Sequence, residues 1–197
     1  MRRGIIAAAV IASFGLTALP AQAAVQVKIE DFRFAPSKLT VAEGTTITWH
    51  YANSGTTHHT STQNAPLNLW NTGSIFPGQT SSPVVLEAAG SYAYHCAVHA
   101  SMVGIIRVPT RVSPIAGMTS TTFTIRLATA RQTGLAYDVQ KRNGAGAWRT
   151  WKTGVTAVLV RFRHPSGGGT WWFRSRLHRV SNGARSGWSP ARRITIS

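Results

Sequence analysis

Cys96, His99 and Met102 follow one another at three-residue steps in Cys96-Ala97-Val98-His99-Ala100-Ser101-Met102. One tight loop can turn all three side chains toward a common point. Thiolate and thioether sulfur favour Cu(I), and imidazole serves both copper oxidation states. Two imidazoles and a thiolate in a rough trigonal plane, with a long axial thioether, make a one-electron copper site. The loop supplies one imidazole, so a second must come from elsewhere, and His58-His59 offers two. Cys96 is the only cysteine in the chain and forms no internal disulfide. A lone sulfur is either a small buried hydrophobe or a metal thiolate.

The positioning elements read as strands. Short runs rich in Val, Ile, Thr, Tyr and Trp alternate with Gly, Pro, Asn and Ser, and no helical period follows the first twenty-odd residues. In Tyr92-Ala93-Tyr94-His95-Cys96 the period of two puts Tyr92, Tyr94 and Cys96 on one face and His95 on the other. Strands are expected near 25–34, 39–41, 45–51, 57–62, 81–87, 91–96 and 104–108, a spacing that suits a sandwich. A second set is expected near 120–127, 136–142, 148–152, 157–162, 170–177 and 192–196.

Cys-x2-His-x2-Met after a Tyr-x-Tyr strand, with Trp49, Asn53 and a histidine upstream, resembles the cupredoxins, with a loop spacing similar to amicyanin. Phe32-Arg33-Phe34-Ala35-Pro36, Gly73-Ser74-Ile75-Phe76-Pro77-Gly78 and Gly104-x-Ile106-x-Val108 extend the resemblance over residues 25–108. It implies a Greek-key β-sandwich and one type 1 copper ion held by His59, Cys96, His99 and Met102. His58 stands where that pattern has proline, and it remains the alternative first ligand. The resemblance also implies that Asn53 ties the ligand loops together. It implies further that His99 reaches the surface through an apolar patch, for which Ala97, Val98, Ala100, Pro66 and Leu67 are the candidates.

Charge divides the chain. Residues 24–113 are near neutral, whereas from Pro114 onward fourteen basic residues face one acid, Asp138, and most of the +16 formal charge lies there. Such asymmetry indicates two domains with different partners. Tyr137-Asp138-Val139-Gln140-Lys141-Arg142, Trp148-Arg149-Thr150-Trp151, Phe173-Arg174-Ser175-Arg176 and Ser186-Gly187-Trp188-Ser189-Pro190 resemble a fibronectin type III domain. That resemblance suggests that Arg174 and Arg176 stack on Trp188 through cation–π contacts. The expectation is an all-β chain, a cupredoxin sandwich at 24–110 and a fibronectin type III-like sandwich at 119–197, joined by a linker at 111–118. The basic domain is expected to meet an anionic membrane or cell-wall surface.

Arg2-Arg3, an apolar run from Ile5 to Leu19 and Ala21-Gln22-Ala23 have the layout of an export signal over residues 1–23. The run is shorter than a membrane-spanning helix needs. Export points to a secreted or periplasmic protein, and away from nucleic acid as a target. Five acids leave little for paired-carboxylate chemistry, and His50, His164 and His178 form no second metal spacing. The chain is therefore expected to be no enzyme, and the cupredoxin resemblance implies a one-electron carrier serving a redox partner protein. Copper buffering or delivery, and surface adhesion with a structural copper ion, are the competing functions.

Overall fold

The computed structural model describes residues 24–52 and 55–197. The expected export signal and Asn53 lie outside the described residues. Among the described residues every regular element is a strand.

The first half folds as β1 (Val25–Glu30), β2 (Arg33–Ala35), β3 (Lys38–Thr40), β4 (Thr45–Tyr51), β5 (Thr62–Gln63), β6 (Val84–Leu86), β7 (Gly90–His95) and β8 (Val103–Val108). Two sheets result, ordered β2-β1-β4-β6 and β3-β8-β7-β5. The pairs β1/β4 and β3/β8 are parallel and the others antiparallel. Alternation sets the faces. Thr45, Ile47, Trp49 and Tyr51 of β4 are buried while Thr46, Thr48 and His50 are partly exposed. Trp49, Trp70, Tyr92 and Tyr94 meet between the sheets, with ring centroids 5.6–6.4 Å apart, a spacing at which offset and edge contacts add to area burial.

One expected strand is broken up. Between 57 and 61 the chain makes only an isolated bridge, with His59 N donating to Ile75 O at 3.1 Å and Ile75 N to His59 O at 2.7 Å. Leaving the ladder frees this segment to reach the loop after β7, and regular pairing resumes at β5.

The second half folds as β9 (Arg111–Ser113), β10 (Ala116–Gly117), β11 (Phe123–Arg126), β12 (Leu135–Asn143), β13 (Arg149–Val155), β14 (Leu159–Phe162), β15 (Gly169–Arg179) and β16 (Arg192–Ile196). Its sheets are β14-β11-β9 and β10-β16-β15-β12-β13. The segment expected as a linker, 111–118, is thus structural: β9 joins one sheet and β10 the other. Pro114 lies between these two short strands, and Ile115 O still accepts from Thr195 N at 2.9 Å.

The two halves share one continuous buried cluster and many hydrogen bonds. Ser91 and Gly187 exchange backbone bonds of 3.0 and 2.9 Å, and Ser91 Oγ donates to Trp188 O at 2.8 Å. Thr110, fully buried, has its Oγ1 at 3.0 Å from Ser175 Oγ and 2.7 Å from Ser189 Oγ. The backbones approach so closely that a Cβ on Gly90 would meet Ser186 Oγ at 2.7 Å.

Candidate metal centre

Strand β7 carries Tyr92 and Tyr94 inward, and the next inward position, one residue past its end, is Cys96, 1% exposed. The following loop is closed by Met102 N donating to His99 O at 3.0 Å and Cys96 N donating to Met102 O at 2.9 Å. Met102 is therefore drawn back beneath the loop, 1% exposed, before β8 begins. His59 arrives from the irregular segment and is fully buried.

These elements bring three donor atoms together. His59 Nδ1 and His99 Nδ1 are 3.1 Å apart, and Cys96 Sγ lies 3.9 Å from the first and 3.6 Å from the second. The point equidistant from the three atoms is about 2.1 Å from each, the length of a bond from a first-row metal to nitrogen or sulfur. The donors therefore fit a metal ion in number, type and spacing. Burial, and then the neighbouring His99, hold the His59 imidazole below its usual pKa. It is neutral near pH 7, and a neutral imidazole is the form that ligates. His58 is outside the cluster, its ring lying 5.4 Å from that of Phe76.

A sequence profile of the cupredoxin-like domain matches residues 4–108, just over half of the chain. The chain belongs to the cupredoxin-like family. Similar solved structures include a reduced Cu(I) form of an amicyanin mutant, 28% identical over 45% of this chain and 84% of that one, at a TM-score of 0.39. An oxidized amicyanin mutant is 28% identical over 45% of this chain and 85% of that one, TM-score 0.39. The Cu-containing nitrite reductase of Thermus scotoductus SA-01 is 24% identical over 47% of this chain, TM-score 0.40, and only 24% of that enzyme's length is spanned. No curated protein matches.

The surroundings of this cupredoxin centre include residues that sequence reading missed. Thr60 grips the cysteine loop twice: its N–H donates to Cys96 Sγ at 3.3 Å, and its Oγ1 accepts from Ala97 N at 2.8 Å. The only sequence signal for it was adjacency to His59. Phe32, in the turn between β1 and β2, has φ of 62°, uncommon for a bulky residue. That conformation sets its ring edge-on to His99 at 4.9 Å and to His59 at 6.1 Å while leaving it 55% exposed. Tyr51 packs edge-on with His59 at 4.8 Å and donates its hydroxyl to Asp31 Oδ1 at 3.2 Å. Around half-buried His99, residues Ala97, Val98 and Ala100 are exposed, as is Pro66. Leu67, expected on that surface, is instead buried, and its carbonyl accepts from Arg179 Nη2 at 2.9 Å.

The second sandwich has no comparable donor cluster among the described residues. Its outer face stacks rings and guanidinium groups alternately. Arg142 lies over Trp172 and Trp148 at 5.4 and 4.8 Å, Arg174 over Trp148 and Trp188 at 4.3 and 5.1 Å, and Arg176 over Trp188 at 4.4 Å. Asp138, 2% exposed, anchors the end of the series. It accepts from Arg176 Nε at 3.0 Å, Arg185 Nε at 3.3 Å and Gly154 N at 3.2 Å, with His178 Nδ1 3.1 Å away. Burial pushes this carboxyl up, but the bonds from Arg176 and Gly154 and the charge of His178 outweigh it, and its pKa lies below the usual value.

Proposed function

We propose that this chain is an exported one-electron carrier with a single type 1 copper ion bound by His59, Cys96, His99 and Met102. The observation that carries this reading is the convergence of His59 Nδ1, His99 Nδ1 and Cys96 Sγ on one point. Copper bound there would supply one-electron exchange between Cu(I) and Cu(II). The residues around it do the rest. Cys96 and Met102 offer sulfur to the reduced ion and the imidazoles serve both states, so neither state needs rearrangement. Thr60 N–H bonds the thiolate and holds its charge in a buried place. Phe32, Tyr51 and Ile75 exclude water, which limits reorganisation when charge changes. His99, beneath Phe32 and beside exposed Val98 and Ala97, is the point of electron entry and exit for a redox partner protein. The second sandwich is read as a fibronectin type III module, supported by its split first strand and its three-strand and larger sheets. Its excess of arginine is read as a grip on an anionic membrane or wall surface.

Titration of the purified chain with Cu(II), followed in the visible spectrum, tests the site. An intense thiolate-to-copper band at one equivalent is expected; its absence rejects type 1 copper. Stopped-flow exchange with a small redox reagent then separates a carrier, which exchanges fast, from a copper buffer, which does not.

A further inference from the structure

At the junction of the two sandwiches lies a groove of about 880 Å³. Met102 immediately precedes β8 and Pro109, which lines the groove, immediately follows it. The groove and the metal centre are therefore at opposite ends of a strand about 20 Å long. Val41, Val112 and Ile115 give the groove an apolar wall, and Arg111, Arg192 and Arg193 supply three guanidinium groups. All three arginines are exposed, and among the described residues none forms an ion pair. Ile115 is 73% exposed, a large apolar side chain left in water beside them.

The groove also gathers sheet edges. Thr40, Arg111 with Val112, and Ala116 belong to β3, β9 and β10, each the terminal strand of its sheet. Terminal strands present a row of backbone donors and acceptors to any extended chain laid beside them. Arginine on such an edge favours carboxylates, which it holds in paired hydrogen bonds, and the apolar wall favours a chain whose alternate side chains are aliphatic. A flat lipid surface does not reach the floor of a concave site.

We propose that this groove binds an extended acidic segment of a partner protein, with alternating carboxylate and aliphatic side chains, by strand addition. The contact does not depend on the copper reading, and it leaves the metal end free.

Fluorescence anisotropy of the full chain with a labelled peptide alternating Asp or Glu with Val tests it. Changing Arg111, Arg192 and Arg193 together to Ser is expected to weaken binding roughly tenfold or more, and Ile115→Ser to weaken it several-fold. The same charge change at Arg149, Arg161 and Arg163, which are exposed and outside the groove, is expected to leave it unchanged. Equal weakening by both triple variants would reduce the contact to general electrostatics and overturn the proposal. So would vesicles of anionic phospholipid that displace the peptide in a groove-dependent way, because the occupant would then be lipid. The thermal melt reports folding of each variant, and the copper band is scored separately, so failure of one reading does not mask the other.

Discussion

The metal end of the first sandwich and the arginine–tryptophan face of the second both gather side chains from distant parts of the chain, but by different means. On the second sandwich, strand register does the work: Gln140 lies opposite Arg174, Asp138 opposite Arg176 and Arg142 opposite Trp172. Neighbouring positions on one sheet face are about 5 Å apart, and the ring-to-guanidinium distances of 4.3–5.4 Å are of that size. A metal needs its donors on a much tighter sphere, which register cannot supply. His59, Cys96 and His99 accordingly leave the ladders: one sits in a segment that keeps only an isolated bridge, one just beyond a strand end and one in the loop that follows. Stacking can be built on a sheet, whereas coordination is built off the ends of strands.

Four substitutions test that contrast, and the largest effect is expected at the metal end. Cys96→Ala removes the sulfur and should abolish the visible copper band, while the arginine–tryptophan face stays folded by tryptophan fluorescence. A band that survives would mean the donors are elsewhere. Next in size is Asp138→Ala, which leaves Arg176 and Arg185 without their carboxylate. The two arginines are partly exposed and can turn to water, so the loss of the charged hydrogen bonds costs about 1–2 kcal/mol, read as a lower midpoint in denaturant. The copper band should persist below the transition, because no donor depends on that register.

A smaller effect is expected at Glu43, which is as buried as Asp138 yet has no hydrogen-bond partner among the described residues. Its Oε2 lies 3.9 Å from Arg126 Nε across the junction. Burial raises its pKa from 4.5 to about 7, against the lowering influence of Arg126 and then Arg111. A carboxyl raised on folding contributes stability that is full below its ordinary value and is lost as pH rises through about 7. Thermal stability should therefore fall between pH 5 and 8, and Glu43→Gln should flatten that slope and raise the midpoint at pH 8 by a few degrees. An unchanged slope would place the titrating group elsewhere. The smallest effect is predicted for His58→Ala. With its ring against Phe76 and away from the donor cluster, its removal should leave the copper band in place. Loss of the band would make His58 a ligand and reverse the assignment.

The sequence by itself determined the all-β class, the division of charge and the inward phase of Tyr92, Tyr94 and Cys96, because these follow from composition and the two-residue period of a strand. It also marked Cys96, His99 and Met102 as a set, because three-residue steps confine them to one loop. Only the tertiary structure placed His59, and not His58, in the donor cluster, since neighbouring residues outside the regular ladders have no fixed period to say which one turns inward. It alone showed Thr60 and Phe32 at the centre, because a backbone bond to sulfur and a left-handed turn have no residue signature. The integration of 111–118 into both sheets, and the groove that results, were likewise invisible in the chain. Pro114 and Gly117 read as breaks in a pattern, whereas hydrogen bonds to β11 and β16, which come later in the sequence, decide that the residues on either side of Pro114, 111–113 and 116–117, are strand.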